Sequence, residues 1–515
     1  MCFREHRGRT DRARLWAARW AVAAILPMTL VTRLTLASPL DDPFVGGMSF
    51  NGPTDGNLGA IYWNPAALGL AHGFQILVAG TAQLSSIGVM RTATDPMTGR
   101  PLPGQTGASA TANNFRQPFQ WPPGPGSYIA ISSGGDRVAL GAAVYMPYLE
   151  QIKFPVSPTG TEPTRYQVLS MDLRNLALVG TLAIRLSDNL RIGLAPGVLF
   201  STGSLSFAED TALDGLANTC GGVACGVENP AAAARYNISS GQGIENSKFS
   251  VTLGGGIYYH LRNLDLGLSY QSRPLGSTVA GVEVAGGQSS VTLPPNQVTL
   301  PPNQGGGALT CPGGQSSRCV FGDITYRLPD VFIGGATWHL APGLELTLME
   351  RWVWMHLHDR IDVRLVGPTL DATGLPDHIV LYRGFHDVWD TRARIAYWWR
   401  ERVHVGAELR VETSAVDNSG VNAAAVDGFK VEPVALVEVR VGRRFWLGAG
   451  YGLTIMPAVT VTNSVFQPTA ATSCFDSGGD LNKCAARNAG EARPTAAGTY
   501  TSFVQDFGLT FNARF

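Results

Sequence analysis

Apolar and polar residues alternate with a period of two through most of this chain from Phe74 onward. Residues 190–200 show the pattern clearly, with apolar residues at every even position and mostly small or polar residues at the odd positions. Because successive side chains of a β-strand point to opposite faces, this alternation predicts strands with one apolar face and one small or polar face. The chain therefore has to fold as a sheet that lies between two different environments.

The alternating segments come in pairs joined by tight turns, which predicts β-hairpins. The predicted turns are Gly134–Asp136, Ser187–Asn189, Arg262–Asn263, Ala341–Gly343, Arg400–Arg402 and Gly442–Arg444. Six hairpins and one strand at each end give about 14 strands, an even number within the range of transmembrane barrels. The connections between hairpins are much longer and hold most of the Gly, Pro, Asn and Ser clusters. Short turns on one side and long loops on the other are typical of an outer-membrane barrel, whereas a soluble sandwich shows no such parity.

We therefore predict an all-β fold, a transmembrane antiparallel β-barrel of about 14 strands over residues 74–515. Continuing the alternation from Leu348 places Glu350 on the lipid face, and a β-bulge before Trp352 is expected to restore the phase. Aromatic residues cluster near the predicted strand ends and are expected at the level of the lipid headgroups; they are Trp352, Trp354, Tyr397, Trp398, Trp399, Phe445 and Trp446.

Composition supports a membrane protein without helical spans. Charged residues make up 15% of the chain, whereas a soluble domain averages about a quarter. A membrane-spanning helix needs about 20 consecutive apolar residues, and the longest clean apolar stretch is Trp20–Thr32. Lys plus Arg and Asp plus Glu both number 39, so the balanced charge argues against a nucleic-acid partner.

Residues 1–37 have the features of a secretory signal peptide. Six arginines precede the apolar stretch, and Thr35–Ala37 supplies a small-residue cleavage site, with cleavage expected after Ala37. A short N-terminal anchor helix is the alternative. Export across the inner membrane would place the mature chain in the outer membrane of a Gram-negative bacterium.

The mature chain has six cysteines in three close couples, each in a loop rich in small and polar residues. The couples are Cys220 with Cys225, Cys311 with Cys319, and Cys474 with Cys484. In an oxidising compartment this arrangement predicts three local disulfides. Zinc is the alternative, but the spacings are not C-x2-C and no histidine adjoins them, so we predict no metal site.

The last segment alternates up to the final residue. Phe507, Leu509 and Phe511 share one face with Phe515, at which the sequence ends. An amphipathic C-terminal strand that ends in Phe resembles the strand that the outer-membrane barrel assembly machinery recognises, so Phe515 is the expected assembly signal.

Residues 38–73 do not alternate, and they are expected to form a compact segment before the barrel. Asn64 and Pro65 are suited to the N-cap and first position of a helical turn that continues through Ala66. Such a segment could be a periplasmic appendage or a plug inside the lumen.

The Asn-Pro-Ala-Ala-Leu sequence at 64–68, directly before the first strand, resembles the long-chain fatty acid transporter family of outer-membrane channels (FadL-type). The strand count, the small-residue stretch Gly141–Pro147 and the terminal Phe515 share the resemblance, whereas the six loop cysteines depart from it. The resemblance implies that residues 38–73 form a hatch in a 14-stranded barrel. It also implies passive uptake of long-chain fatty acids or aromatic hydrocarbons, captured by extracellular loops and released through a lateral opening at a kinked strand near the hatch.

Charged residues occur on the predicted lumen face of neighbouring strands. The set is Arg392, Arg394, Glu408, Arg410, Glu412, Glu438 and Arg440. One interpretation is a cross-strand ladder of ion pairs that braces the wall and holds the hatch. The other is that Arg394 or Arg410 meets a ligand carboxylate.

The sequence contains no hydrolase, zinc-protease or nucleotide-binding motif, so we predict no enzymatic activity and no cofactor. The predicted function is a passive outer-membrane channel for hydrophobic compounds, a monomer with membrane lipid and the assembly machinery as partners. A general diffusion porin for small polar solutes and a structural or adhesive barrel are the alternatives. A large steady ion current would favour the porin.

Overall fold

The computed structural model describes residues 42–92, 109–118, 123–156, 162–210, 233–239, 249–275, 282–292, 308–309, 320–366, 378–466 and 495–515. The predicted signal peptide and all six mature cysteines lie outside these ranges. Within the described ranges, no helix is long and apolar enough to cross a membrane.

The described residues form one sheet of 22 strands. In chain order they are β1 (Gly73–Arg91), β2 (Ser109–Arg116), β3 (Tyr128–Gly134), β4 (Val138–Lys153), β5 (Ser170–Arg185), β6 (Leu190–Asp210), β7 (Ala233–Ser239), β8 (Phe249–Leu261), β9 (Leu264–Gln271), β10 (Val282–Thr292), β11 (Ala308–Leu309), β12 (Val320–Tyr326), β13 (Val331–Ala341), β14 (Leu344–Val353), β15 (Arg360–Val366), β16 (His378–Tyr382), β17 (Val388–Trp399), β18 (Val403–Glu412), β19 (Lys430–Val441), β20 (Phe445–Thr454), β21 (Val459–Val461) and β22 (Gly498–Arg514).

Fourteen of these strands close into an antiparallel barrel. Around the wall the order is β1, β3, β4, β5, β6, β8, β9, β13, β14, β17, β18, β19, β20 and β22. The ring closes where β1 pairs with β22, from Gln75 opposite Arg514 to Arg91 opposite Gly498. Closure gives strand backbone groups partners within the sheet, which a membrane span requires. The predicted fold is confirmed: six hairpins with one strand at each end.

The two faces of the barrel strands differ as the alternation predicts. Leu194 and Leu509 point outward and are 61% and 67% exposed, as expected for side chains that meet lipid. Inward neighbours on the same strands, such as Ala195 and Asp506, are buried. The hairpin turns are short at one end of the barrel, and every connection at the other end is far longer. We call the two ends the turn end and the loop end.

Two local predictions are wrong. Strands β13 and β14 stay in register from Leu348 to Val353, so there is no bulge before Trp352, and Glu350 does face outward. Its carboxylate accepts a hydrogen bond of 2.6 Å from Thr391 on the outer face of β17. Of the aromatic residues expected at the headgroups, Trp398 and Trp446 face the lumen instead, where they pack edge-to-face at 5.6 Å, whereas Tyr397, Trp399 and Phe445 point outward. Side chains of a strand alternate between its two faces, and the positions of Trp398 and Trp446 fall on the face that points into the lumen.

Strands β7, β10, β12, β15 and β16 extend the sheet beyond the barrel at the loop end. They pair in series, starting from β6. We call β12, β15 and β16, together with the adjoining residues 327–330, 354–359 and 383–387, the outer cap. The buried Tyr326 of the outer cap donates to Asn175 Oδ1 of β5 over 2.9 Å, and Arg383 donates to Glu150 of β4 over 2.7 Å. These contacts fasten the outer cap to the wall.

Candidate functional site

The N-terminal segment, residues 42–72, packs against inward-facing residues of the barrel strands. It contains one short helix, α1 (Ala60–Trp63), followed by a 3-10 helix, Pro65–Leu70. Asn64 starts the second helix because its side-chain oxygen accepts from the Ala66 N–H, while Pro65 has no N–H to satisfy. The side chains of α1 are all buried, so the segment presents apolar groups to the wall in every direction.

Inward-facing glycines let the N-terminal segment approach the wall closely. A Cβ on Gly256 of β8 would lie 2.0 Å from Asn64 Oδ1, and one on Gly508 of β22 would lie 2.3 Å from Met48 Cβ. Comparable contacts involve Gly193, Gly267, Gly406 and Gly450 on four further strands. The segment therefore packs against much of the circumference, with backbone in places where side chains would otherwise project.

Hydrogen bonds to the wall add specificity to this packing. Asn64 Nδ2 donates to Ile257 O over 3.0 Å, and Ser269 Oγ donates to Trp63 O over 2.6 Å. Within the segment, Trp63 Nε1 donates to Val45 O over 2.8 Å, which ties its two ends together. Such bonds satisfy polar groups that have lost water, so moving the segment would expose them again.

The lumen charges that the sequence predicts are brought together around Asp390. Its carboxylate lies 3.3 Å from Arg351, 2.7 Å from Arg392 and 3.0 Å from Arg410. Arg410 also pairs with Glu432 at 2.8 Å and with Glu412. Paired, hydrogen-bonded charges are the form in which buried ions are tolerated.

The remaining predicted charges differ in their partners. Arg394 pairs with Asp55 of the N-terminal segment at 2.7 Å, and Glu408 lies 3.8 Å from Arg392. Arg440 donates to Arg443 O near the turn end, and Glu438 lines a cavity there. The two arginines that were candidates for binding a ligand carboxylate, Arg394 and Arg410, are both paired with carboxylates of the protein itself. Sequence reasoning missed Arg351 and Asp390, although the alternation places Asp390 inward.

The wall is interrupted beside β4. Strand β3 pairs with β4 only from Tyr128 opposite Tyr145 to Gly134 opposite Ala139. Nearer the loop end, β2 takes the place of β3 beside β1, and no ladder joins β2 to β4 in the described part of the chain. The pairing of β4 with β5 also shifts between Tyr145 and Tyr148, around Pro147, which has no N–H to donate. We call this break between β2 and β4 the wall gap.

Two residues bridge the wall gap. Asp42 donates its N–H to Pro147 O over 3.1 Å, and its carboxylate accepts from Gly126 N over 2.6 Å. Arg116, the last residue of β2, donates to Gln151 O on β4 and to Gln83 Oε1 of β1. Both residues replace ladder bonds that the strands do not make. The sequence analysis did not locate the gap: Pro147, which cannot donate to a ladder, is the signal that could have marked it, whereas nothing in the sequence identifies Asp42 or Arg116.

Two cavities open at opposite ends of the described structure. One of about 530 Å³ lies at the turn end between the N-terminal segment and the wall, lined by polar groups that include Asp55, Arg191 and His339. The other, of about 840 Å³, lies at the loop end and is lined by residues that include Val416 and Phe429.

A closed antiparallel barrel with an apolar outer face and a buried polar inner face defines an outer-membrane β-barrel protein. A family model described as outer membrane protein transport protein (OMPP1/FadL/TodX) matches residues 46–515, and the chain belongs to this family. The family is one of outer-membrane channels for hydrophobic substrates. A search of curated proteins gave no match.

Solved structures agree on the fold. A FadL homologue from Pseudomonas aeruginosa has a TM-score of 0.66 at 13% identity, covering 94% of this chain and 100% of its own. The toluene transporter TodX of P. putida gives 0.57 at 13% identity, with 89% and 94% covered. The toluene transporter TbuX of Ralstonia pickettii gives 0.54 at 13% identity, with 90% and 98% covered. At such identities the likeness concerns the fold.

Proposed function

We propose that this protein carries hydrophobic compounds passively from its outer loops into the membrane, and that they leave sideways through the wall gap. The N-terminal segment acts in this proposal as a hatch that closes the straight route to the periplasm. The single observation that carries the proposal is that, among the described residues, no ladder joins β2 to β4. Backbone N–H and C=O groups in lipid need hydrogen-bond partners within the sheet, so a break in the ladder destabilises the barrel. We therefore expect the break to serve a function.

The surroundings of the wall gap suit an apolar solute. Phe115, Val144 and Leu84 point outward around it and are 58%, 37% and 40% exposed. A hydrophobic molecule that reaches the gap from the lumen thus meets apolar surface and then hydrocarbon, into which its transfer is favourable. Such a route needs no energy source.

The loop end would supply the capture step. Its cavity places the exposed, apolar Phe429 among polar loop residues, where a solute arriving from outside would first make contact. The expected signal peptide, disulfides and Phe515 assembly signal belong to the same proposal, in which the chain is exported and inserted as a monomer.

The proposal is tested by uptake in cells that lack other transporters for hydrophobic compounds. Expression of this chain should raise the initial rate of uptake of oleate or toluene severalfold above that of cells with an empty vector. Filling the gap should abolish this gain, for example by Gly126→Trp together with Pro147→Val. Equal rates with and without the protein would refute the transport proposal.

A further inference from the structure

Four exposed arginines lie close together at the turn end. They occupy the turns of two neighbouring hairpins, β17–β18 and β19–β20, and are Arg400, Arg402, Arg443 and Arg444. The two turns adjoin because β18 pairs with β19, and the Arg440 N–H donates to Arg402 O over 2.7 Å. We call these four residues the basic patch.

The protein leaves the charge of the basic patch largely uncompensated. Among the described residues, none of its four guanidinium groups makes an ion pair with an Asp or Glu oxygen. The lumen arginines Arg392 and Arg410 instead share Asp390. Glu401 is the one acidic residue in the two turns, and Glu438 of β19 lines the turn-end cavity. The basic patch therefore carries a net positive charge that is available to a partner.

Outward-facing aromatic rings adjoin the basic patch. Trp399, Phe445 and Phe515 are 58%, 42% and 54% exposed. The guanidinium carbon of Arg400 lies 5.7 Å from the centre of the Trp399 ring, and that of Arg444 lies 5.5 Å from the centre of the Phe515 ring. Cations are attracted to aromatic faces at such distances. These two arginines thus lie where the lipid-facing surface ends, which is the level of the headgroups.

The charge and the position of the basic patch select the class of partner. An arginine fork binds two phosphate oxygens with parallel hydrogen bonds, and basic clusters beside a membrane attract anionic lipid. An acidic protein would satisfy the charge but would not use the aromatic rings that face lipid. The short turns of outer-membrane barrels lie on the periplasmic side, so the partner comes from the leaflet on that side.

We propose that the basic patch binds the phosphate groups of an anionic phospholipid from the leaflet at the turn end. The acyl chains of this lipid lie against Trp399 and Phe445, while its headgroup meets Arg400 and Arg444. Such a site would hold one edge of the barrel at a fixed depth in the membrane. The inference does not depend on the transport route.

The test measures lipid binding to the purified full-length barrel in detergent by native mass spectrometry, with cardiolipin and zwitterionic phosphatidylcholine as probes. Removal of two cations at a membrane surface corresponds to at least about a tenfold loss of affinity for an anionic lipid. Arg400→Gln together with Arg444→Gln should therefore weaken cardiolipin binding at least about tenfold and leave phosphatidylcholine binding within about twofold. Higher salt should weaken cardiolipin binding to wild type.

The matched control is Arg137→Gln together with Arg262→Gln, which removes the same charge from exposed arginines in two other turns of the same end. Arg262 shares the left-handed backbone of Arg400, with φ of 49° against 50°. This control should keep cardiolipin binding within about twofold of wild type, and heat-modifiability on gels verifies that each variant is a folded barrel.

Two results would overturn the inference. Equal losses in the two double variants would show a diffuse attraction to the whole turn end rather than a site. Unchanged cardiolipin binding after Arg400→Gln together with Arg444→Gln would exclude the lipid and favour an acidic periplasmic protein as the partner.

Discussion

At the scale of single residues, a few polar contacts with side chains of the barrel wall hold the N-terminal segment in place. The ion pair between Asp55 and Arg394 is the clearest, because the arginine is 3% exposed and also donates to Asn51 O over 3.0 Å. A buried cation that loses its partner carries an uncompensated desolvation cost.

Asp55→Ala should therefore loosen the segment. We expect its docking to weaken by about 2–4 kcal/mol, seen as faster hydrogen exchange in residues 48–58 and a higher ion leak in planar bilayers. Asp188→Ala is the matched control, because it breaks an ion pair with Arg185 in which the aspartate is 92% exposed. Equal effects of the two substitutions would contradict the assigned role of Asp55.

Gly256 gives a second prediction at this scale. A methyl group there would meet Asn64 Oδ1 at 2.0 Å, so Gly256→Ala should displace Asn64 and break its bonds to Ile257 O and the Ala66 N–H. Limited proteolysis should then cut within residues 57–70 of the variant. Gly180→Ala, where no atom lies within 4 Å of the added group, should remain resistant. Cleavage of both or of neither variant would count against the close packing.

At the scale of elements, the outer cap depends on a buried neutral histidine. His358 is fully buried, and its Nδ1 atom donates to Arg327 O over 2.6 Å. Burial, with a smaller contribution from Arg383, lowers the pKa of His358 to about 3 from its ordinary 6.5. The unfolded cap would bind a proton near pH 6.5 and the folded cap only near pH 3, so the cap loses stability as the pH falls through this window.

Hydrogen exchange of peptides from β15 and β16, corrected for intrinsic rates, should accordingly speed up between neutral pH and about pH 4.5. His358→Gln should remove most of this pH dependence, since glutamine can donate to Arg327 O without titrating. His386→Gln, at a half-exposed position, should preserve it. A wild-type cap with unchanged protection at acid pH would refute this account.

The orientation of side chains on the strands could be predicted from the sequence, whereas the pairing of distant segments could not. Period-two alternation fixed which residues of β6 and β22 face lipid, because parity along a strand is a local property. The alternation was also right at Glu350, which faces outward and accepts from Thr391 across the ladder, and at Trp398, which faces inward. The errors came from residue type, which suggested a β-bulge to turn Glu350 inward and a headgroup position for Trp398. The pairing of β2 with β1 and the position of Asp42 depend on contacts between distant parts of the chain, which no local pattern encodes.

At the scale of the whole molecule, two requirements oppose each other. The membrane demands a closed ladder, while the proposed transport demands an opening. The fold separates them: β1 pairs with β22 from Gln75 to Arg91, whereas in the part of the chain that the structure describes no ladder joins β2 to β4 near the loop end. The N-terminal segment packs against the inner face of the wall and, through Asp42, contacts Pro147 and Gly126 at the wall gap.

The central claim is that this segment plugs a barrel that is stable without it, and ion conductance across a planar bilayer tests that claim most directly. Purified wild type should give little steady current. A variant lacking residues 38–72, with its barrel verified by heat-modifiability, should give a large steady current, because an emptied barrel of 14 strands would hold an aqueous channel. Equal currents from wild type and the deletion variant would contradict the account.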